Sequence, residues 1–263
     1  MTAPLFYLPR EEVSGVHRGD LIRVDGDEGR HAVVVKRLRT GESVLIGDGH
    51  GIILACTVER LVAKESLFAR VDATTQVPAA RPQITVVQAL IKGERMERAI
   101  ETLTEAGVDR IEVWPSTHSV VRIRDDQVDK IQVKLDRRVF EASKQARRSW
   151  RPTVHVTTRH EQVMGVAREA GLAILLEESA TRSLADVVLP NEGRGQQQAQ
   201  SGLGGILLIV GPEGGFSDAE REQFHDVGAV SARMGPDVLR ASTAATVALG
   251  WVMGASGRWS MSD

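Results

Sequence analysis

Ile206-Leu-Leu-Ile-Val-Gly-Pro-Glu-Gly-Gly-Phe-Ser-Asp-Ala-Glu220 is the stretch on which the fold turns. Its five leading apolar residues read as a buried strand. Gly211-Pro-Glu-Gly-Gly215 breaks that strand, and Ser217 with Glu220 three residues on forms a capping box that starts a helix. A strand passing through a tight turn into a helix is the unit of an α/β sheet. Ligands of open α/β sheets bind beyond the carboxyl ends of the strands, where this turn lies, and glycines let the backbone approach them closely. Taken alone, such a turn is more often a tight strand-to-helix connection with no ligand. It is neither G-x-G-x-x-G nor a phosphate loop ending in Gly-Lys-Ser/Thr, which argues against nucleotide hydrolysis. Gln88-Ala-Leu-Ile-Lys-Gly93, after the first strand of this half, also lacks the dinucleotide fingerprint of a nicotinamide-dependent enzyme.

Outward from this stretch the same rhythm repeats. Ile84–Leu90, Ile111–Trp114 and Leu172–Leu176 read as strands. Met96, Ala99, Ile100, Leu103 and Ala106 recur at helical spacing, with Gly107 placed to cap them. A long helix is expected over 126–148 and a last one over Ala241–Met253. Asn191–Gly204, rich in Gly and Gln, reads as a mobile loop. Alternating strands and helices predict a mostly parallel sheet covered on both faces. Upstream, Ser43–Ile46, Ile52–Val58 and Ser66–Val71 are short strands separated by Gly and Asp, suggesting a small barrel or sandwich. Ala73–Pro82, with two prolines among small polar residues, reads as a linker. The expected domains are therefore 1–73 and 83–263.

Composition narrows the function. The 263 residues carry 33 Lys plus Arg against 35 Asp plus Glu, a net charge of −2. A single cysteine, Cys56, excludes a disulfide framework, a Cys-rich zinc site and an iron–sulfur cluster. Cys56 lies in an apolar strand pattern and is expected to be inert. The seven histidines show no metal spacing, so no metal is expected. No Gly-x-Ser-x-Gly elbow is present. No apolar run approaches the ~18 residues of a membrane span, and the N-terminus lacks a secretory pattern, so a cytoplasmic protein is expected.

Two further features carry chemistry. In Met234-Gly-Pro-Asp-Val-Leu-Arg-Ala-Ser-Thr-Ala-Ala245, a Gly-Pro turn leads into a helix of small residues suited to close packing. Arg240 sits near that helix start, where the dipole disfavours a cation, so an anionic or carbonyl partner is expected. The second feature is local charge. Residues 130–151 hold eight basic and two acidic side chains, a net of +6, and residues 30–39 hold four basic and none acidic. The near-neutral total is an average over concentrated patches, and phosphate contacts depend on the patch. A solvated face is the alternative for both runs.

Together, Leu208–Ser217 and Met234–Ala245 resemble the ribosomal small-subunit RNA methyltransferase E family, of the SPOUT class. Lys92-Gly-Glu-Arg-Met-Glu97, Thr104-Glu-Ala-Gly-Val108, Ser119-Val-Val-Arg122, Lys144-Gln-Ala-Arg-Arg148 before Pro152, and His31 and Arg37 with Gly41 extend the resemblance over nearly the whole chain. Leu5, Thr102 and His118 depart from it, each standing where the family commonly carries a basic residue. The resemblance implies an N-terminal PUA-like, RNA-binding β-barrel followed by an α/β domain with a deep trefoil knot. It implies a homodimer and S-adenosylmethionine-dependent methylation of uridine N3 in 16S rRNA, free or in the assembled small subunit. The cofactor is expected on Leu176, Glu177, Val210, Gly211, Pro212, Gly214, Gly215, Met234, Gly235, Leu239, Ala241 and Thr243. RNA is expected on His31, Arg37, Arg39, Arg122, Lys144, Gln145 and Arg148. Arg240 is the expected stabiliser of negative charge on the uracil. Glu213 is a candidate proton acceptor or a structural part of its loop, with solvent water as the other acceptor. A related enzyme acting on another RNA, such as a ribose 2′-hydroxyl, and a non-catalytic RNA-binding module are the alternatives.

Overall fold

The computed structural model describes residues 3–63, 65–189 and 204–260. The chain forms two compact units, residues 1–79 with 143–151, and residues 80–142 with 152–263. The Gly/Gln-rich loop expected from Asn191 onward lies almost wholly outside the described residues.

In the first unit β1 (Leu5–Tyr7), β2 (Leu21–Val24), β3 (Ser43–Gly47), β4 (Ile52–Val62) and β5 (Ser66–Gln76) make one sheet in the order β1-β3-β4-β5-β2. Alternate residues Leu54, Cys56 and Val58 of β4, with Leu67, Ala69 and Val71 of β5, face a core that also takes Phe6, Ile46 and Ala32. Burial, aided by Asp72, pushes the Cys56 thiol up to about 12, which leaves it unreactive at neutral pH. The helices α1 (Arg10–Val13) and α2 (Gly26–Arg30) and a π-helical turn, His31–Val35, complete the sequence-contiguous part. The strand β5 runs to Gln76, so the first four residues of the expected linker are ladder, paired with Ala55, Leu54, Ile53 and Ile52. They read as linker because this end of the strand is polar and exposed.

Residues 143–151 belong to this unit through specific bonds. The Trp150 indole donates to the Val77 carbonyl at 2.8 Å and the Tyr7 hydroxyl to the Arg148 carbonyl at 2.5 Å. The Gly51 N–H donates to Ser149 and the Arg151 N–H to Gly49, each at 2.9 Å. Gly51 is required here: its φ is +105° and a Cβ would stand 2.6 Å from the Val77 carbonyl oxygen.

In the second unit β6 (Ile84–Ala89), β7 (Arg110–Trp114), β8 (Thr153–Val156), β9 (Leu172–Leu176), β10 (Ile206–Val210) and β11 (Val230–Ala232) form a parallel sheet ordered β11-β9-β10-β6-β7-β8. The helices are α3 (Gly93–Ala106), α4 (Asp125–Gln145), α5 (His160–Glu169), α6 (Asp218–Asp226) and α7 (Ala241–Ala255). One face of the sheet, with Ile84, Val86 and Leu208, packs against Ile100, Leu103 and Leu249 of α3 and α7. The other, with Val87, Leu207 and Ile209, packs against Val163 of α5 and Phe224 of α6. Two covered faces explain why β10 is apolar at every position. The small residues of α7 let it lie against α3, where the Thr102 and Thr246 hydroxyls meet at 2.8 Å.

The expected helix 126–148 ends three residues early, at Gln145. Arg147 takes a left-handed φ of +50°, its N–H bonding Lys144 and the Arg148 N–H bonding Ser143. This is a Schellman stop, with arginine where glycine is usual.

Candidate active site

The carboxyl ends of β9, β10 and β11 open into a cavity of about 530 Å³. Its walls are the loops 176–179, 210–216 and 232–239 and the first turns of α7. All twelve expected cofactor residues except Thr243 line it, as do Arg240 and Glu213. Thr243 is exposed on α7 and lies outside the wall. Gly215 holds a φ of +70°, which closes the turn after β10.

Glu220 locks that turn. Its buried carboxylate accepts from the Ser217 N–H and hydroxyl at 2.9 Å, from the Thr117 N–H at 2.7 Å and from the Ser116 hydroxyl at 3.2 Å. Burial pushes its pKa up, but the bonds from Thr117, Ser217 and Ser116 outweigh that and hold it below the usual carboxylate range. The capping box expected from sequence is thus also the tie between the β10 turn and the loop after β7. His118, on that loop, adds a bond from Nδ1 to the Gly214 carbonyl at 3.1 Å.

The charged groups of the cavity differ in their engagement. Arg221 donates from Nε to Glu177 at 2.8 Å, from Nη1 to Asp218 at 2.6 Å and from Nη2 to the Phe216 carbonyl at 3.2 Å. The bond to Glu177 raises the guanidinium's pKa further. Glu213 pairs with Arg95 at 3.3 Å, both side chains being partly exposed. Arg240 is the residue before α7 and is exposed; its carbonyl accepts from the Thr243 and Ala244 N–H groups at 2.8 Å, while its guanidinium makes no hydrogen bond or ion pair among the described residues. The partner expected for it from the helix dipole is therefore not supplied by the described fold, and its guanidinium is available to a ligand in the cavity.

Sequence reasoning passed over Phe216, Arg221, Arg233 and Asp237, which also line the cavity. The signal was adjacency: Arg221 follows the capping box, Arg233 precedes the Met234 motif and Asp237 lies within it.

The residues expected to hold RNA fare unevenly. Arg37, with a φ of +54°, and Arg39 are exposed on the segment after the π-helical turn, beside the exposed Val34 and Val35. His31 is half-buried, edge-on to Phe6. Gln145 is exposed, Arg148 is half-buried with Nε on the Trp150 carbonyl at 2.9 Å, and Arg122 donates to the Thr117 carbonyl at 2.9 Å. Lys144 must be corrected. It is buried, its ammonium 2.6 Å from Glu28 and 5.6 Å from the Phe6 ring centroid, so it serves the interior of the first unit. Lys134 and Arg138 are likewise engaged, both by Glu97, which reduces the +6 seen in the sequence.

Among the described residues no helix is long and apolar enough to cross a membrane, and no cluster of His, Cys, Asp and Glu could hold a metal.

A family model described as an RNA methyltransferase domain matches residues 79–253, and one described as an RNA methyltransferase PUA domain matches 24–72. The ribosomal RNA small subunit methyltransferase E of Mycobacterium tuberculosis is 40% identical over all of this chain and 95% of its own length. A methyltransferase from Legionella pneumophila, solved with bound SAM, superposes with a TM-score of 0.79 at 26% identity, covering 97% of this chain and 98% of that one. The methyltransferase E of Neisseria gonorrhoeae, solved with S-adenosyl methionine, shares the fold at a TM-score of 0.80 and 23% identity, covering 96% and 98% of the two chains.

Proposed function

Because the chain belongs to the ribosomal RNA small subunit methyltransferase E family, we propose that it transfers a methyl group from S-adenosylmethionine to N3 of a uridine in 16S rRNA. The observation that carries this is the three-loop cavity with an unpaired arginine at its edge. Its volume falls in the range of small-molecule sites. Its lining offers what an adenosyl ligand needs: the apolar walls Leu176, Val210 and Leu239, and backbone groups of 211–215 and 234–239 for the adenine edge.

The bound cofactor supplies an electrophilic methyl group on a sulfonium. The chain must place the uracil nitrogen in line with it, and such positioning can supply ~7–11 kcal/mol of a barrier. Uridine N3 carries a proton at neutral pH, so negative charge develops on the base as that proton leaves. Arg240 stabilises this charge, and the lack of a partner for its guanidinium among the described residues supports the role. Glu213 or solvent accepts the proton; in the free protein the carboxylate is held by Arg95. Arg37, Arg39, Arg122 and Arg148 grip phosphates.

In this reading residues 1–73 are an RNA-binding PUA-like module and 83–263 the methyltransferase domain of a cytoplasmic homodimer whose substrate is 16S rRNA or the small subunit. Contact through α7 is supported by Val247 on that helix and Trp259 just beyond it, which are 46% and 56% exposed. The same reading includes a deep knot in the second unit.

The test is to map N3-methyluridine in the small-subunit rRNA of a strain deleted for this gene. One methylated uridine should disappear and return on complementation. Persistence of every such residue overturns the assignment, and loss of a ribose methylation instead would identify a different RNA target.

A further inference from the structure

Glu177 directly follows β9 at the cavity and is the centre of a network that its own strand does not explain. Arg221 Nε bonds Oε2 at 2.8 Å, and the Ser231 hydroxyl of β11 bonds Oε1. The Ser231 oxygen in turn meets His225 Nε2 of α6 at 2.8 Å. Proton counting fixes the direction of the chain. An ionised carboxylate only accepts, and serine has one proton to give. That proton goes to Glu177, so His225 must donate from Nε2. Donors thus run inward, from α6 through β11 to the cavity carboxylate. The Glu177 side chain is 10% exposed and the Arg221 side chain 31%.

Among the described residues each Glu177 oxygen carries one side-chain donor, which leaves one acceptor site on each, because a carboxylate offers about four. Its charge is already met by a guanidinium, which weakens the case for a second full cation there. What remains favourable is a pair of neutral donors, and the matching group on an adenosyl ligand is the vicinal diol of its ribose. The half-buried setting strengthens such bonds.

We propose that Glu177 recognises the ribose hydroxyls of the adenosyl ligand, with Arg221 and Ser231, the latter backed by His225, as positioning residues that fix its carboxylate. This rests on the adenosylmethionine reading of the cavity. Arg221 also bonds the Phe216 carbonyl and Asp218, so it ties the end of β9 to the turn after β10 and the start of α6.

The test is titration calorimetry on the full chain with three probes: S-adenosylhomocysteine, its 2′,3′-dideoxy analogue, and 5′-methylthioadenosine, which keeps the ribose and lacks the amino-acid part. Charge-assisted bonds of about 1.5–3 kcal/mol correspond to roughly 10- to 100-fold in affinity. Glu177→Gln should lose that much for S-adenosylhomocysteine and methylthioadenosine, and little for the dideoxy form. Ser231→Ala and Arg221→Met should show smaller losses with the same ligand pattern, and Arg221→Lys should recover part of the loss. Equal losses for all three probes would overturn the proposal. So would a Glu177→Gln loss that vanishes with methylthioadenosine, since the carboxylate would then read the amino-acid ammonium. If the wild-type chain bound none of the probes, the adenosylmethionine reading itself would fall. Near-wild-type melting of Ser231→Ala keeps the comparison interpretable should Arg221→Met fold poorly.

Discussion

Arg240 and Glu220 stand at opposite ends of what a charged side chain can do here. Arg240 is exposed before α7 with its guanidinium unengaged among the described residues, while Glu220 is buried under four donated bonds. Arg240→Ala should keep adenosylmethionine affinity near wild type in calorimetry and lower single-turnover methyl transfer by about 10²–10³-fold, the usual loss for one preorganised charge stabiliser. Wild-type turnover would remove it from the mechanism. Glu220→Gln should destabilise the second unit by about 1–3 kcal/mol, because the Thr117 and Ser217 donors lose an ionic acceptor inside the protein. The folded pKa of Glu220 is lowered, so its stabilisation is full above the ordinary carboxylate range and is lost as pH falls through the folded value. Denaturant midpoints of wild type and variant should therefore differ at pH 7 and converge in acid. Ser217 and Glu220 were legible as a cap from their spacing, but the bonds from Ser116 and Thr117 were not. They come from a loop about a hundred residues away, and local patterning carries no register between distant segments.

At the scale of elements, the basic run on α4 shows where sequence reading stops. The stripe of lysines and arginines was visible, and so was the helix. That Lys144 turns inward was not, because its partner Glu28 lies 116 residues upstream. The early end of α4 was hidden for a simpler reason: Arg147 occupies the left-handed position that a rule of thumb assigns to glycine. The strands β9 and β10 were legible because burial on both faces leaves unbroken apolar runs, and β6 and β7 because their apolar residues are interrupted only by Thr85, Gln88 and Glu112. The salt dependence of RNA binding separates the two kinds of cation. Arg37→Ala should reduce the slope of log K against log salt by about 0.7–0.9, the share of one phosphate contact. Lys144→Met should leave the slope unchanged in folded protein. An unchanged slope for Arg37→Ala would make the segment 36–39 ordinary solvated surface.

At the scale of the molecule, the second unit is closed by a contact that its apolar pattern does not announce. Arg258, just beyond α7, bonds Asp109 at 2.7 and 3.2 Å, the Pro82 carbonyl at 2.7 Å and the Gly107 carbonyl at 3.2 Å. Asp109 also accepts the Ile84 N–H at 2.8 Å, so the chain's last described turn is bolted to the amino end of β6. Removing one partner of a buried pair costs about 3–5 kcal/mol. Arg258→Ala should lower the urea midpoint of the second unit accordingly, and a change under 1 kcal/mol would show the contact to be incidental. Strand order, with β10 inserted between β9 and β6, was equally out of reach of patterning, since every strand of this sheet has much the same apolar face.

The placement of residues 143–151 with the first unit has a genetic consequence. Trp150, Ser149 and Arg148 supply groups that Val77, Gly51 and Tyr7 use, yet they are encoded some seventy codons downstream of the rest of that unit. A recombination event that carried off residues 1–79 would deliver an incomplete module, with the Val77 carbonyl and the Gly51 amide left to water. Inheritance of this unit is therefore bound to inheritance of the catalytic half through a nine-residue insert, and the pair should travel between genomes as one gene and not as exchangeable cassettes.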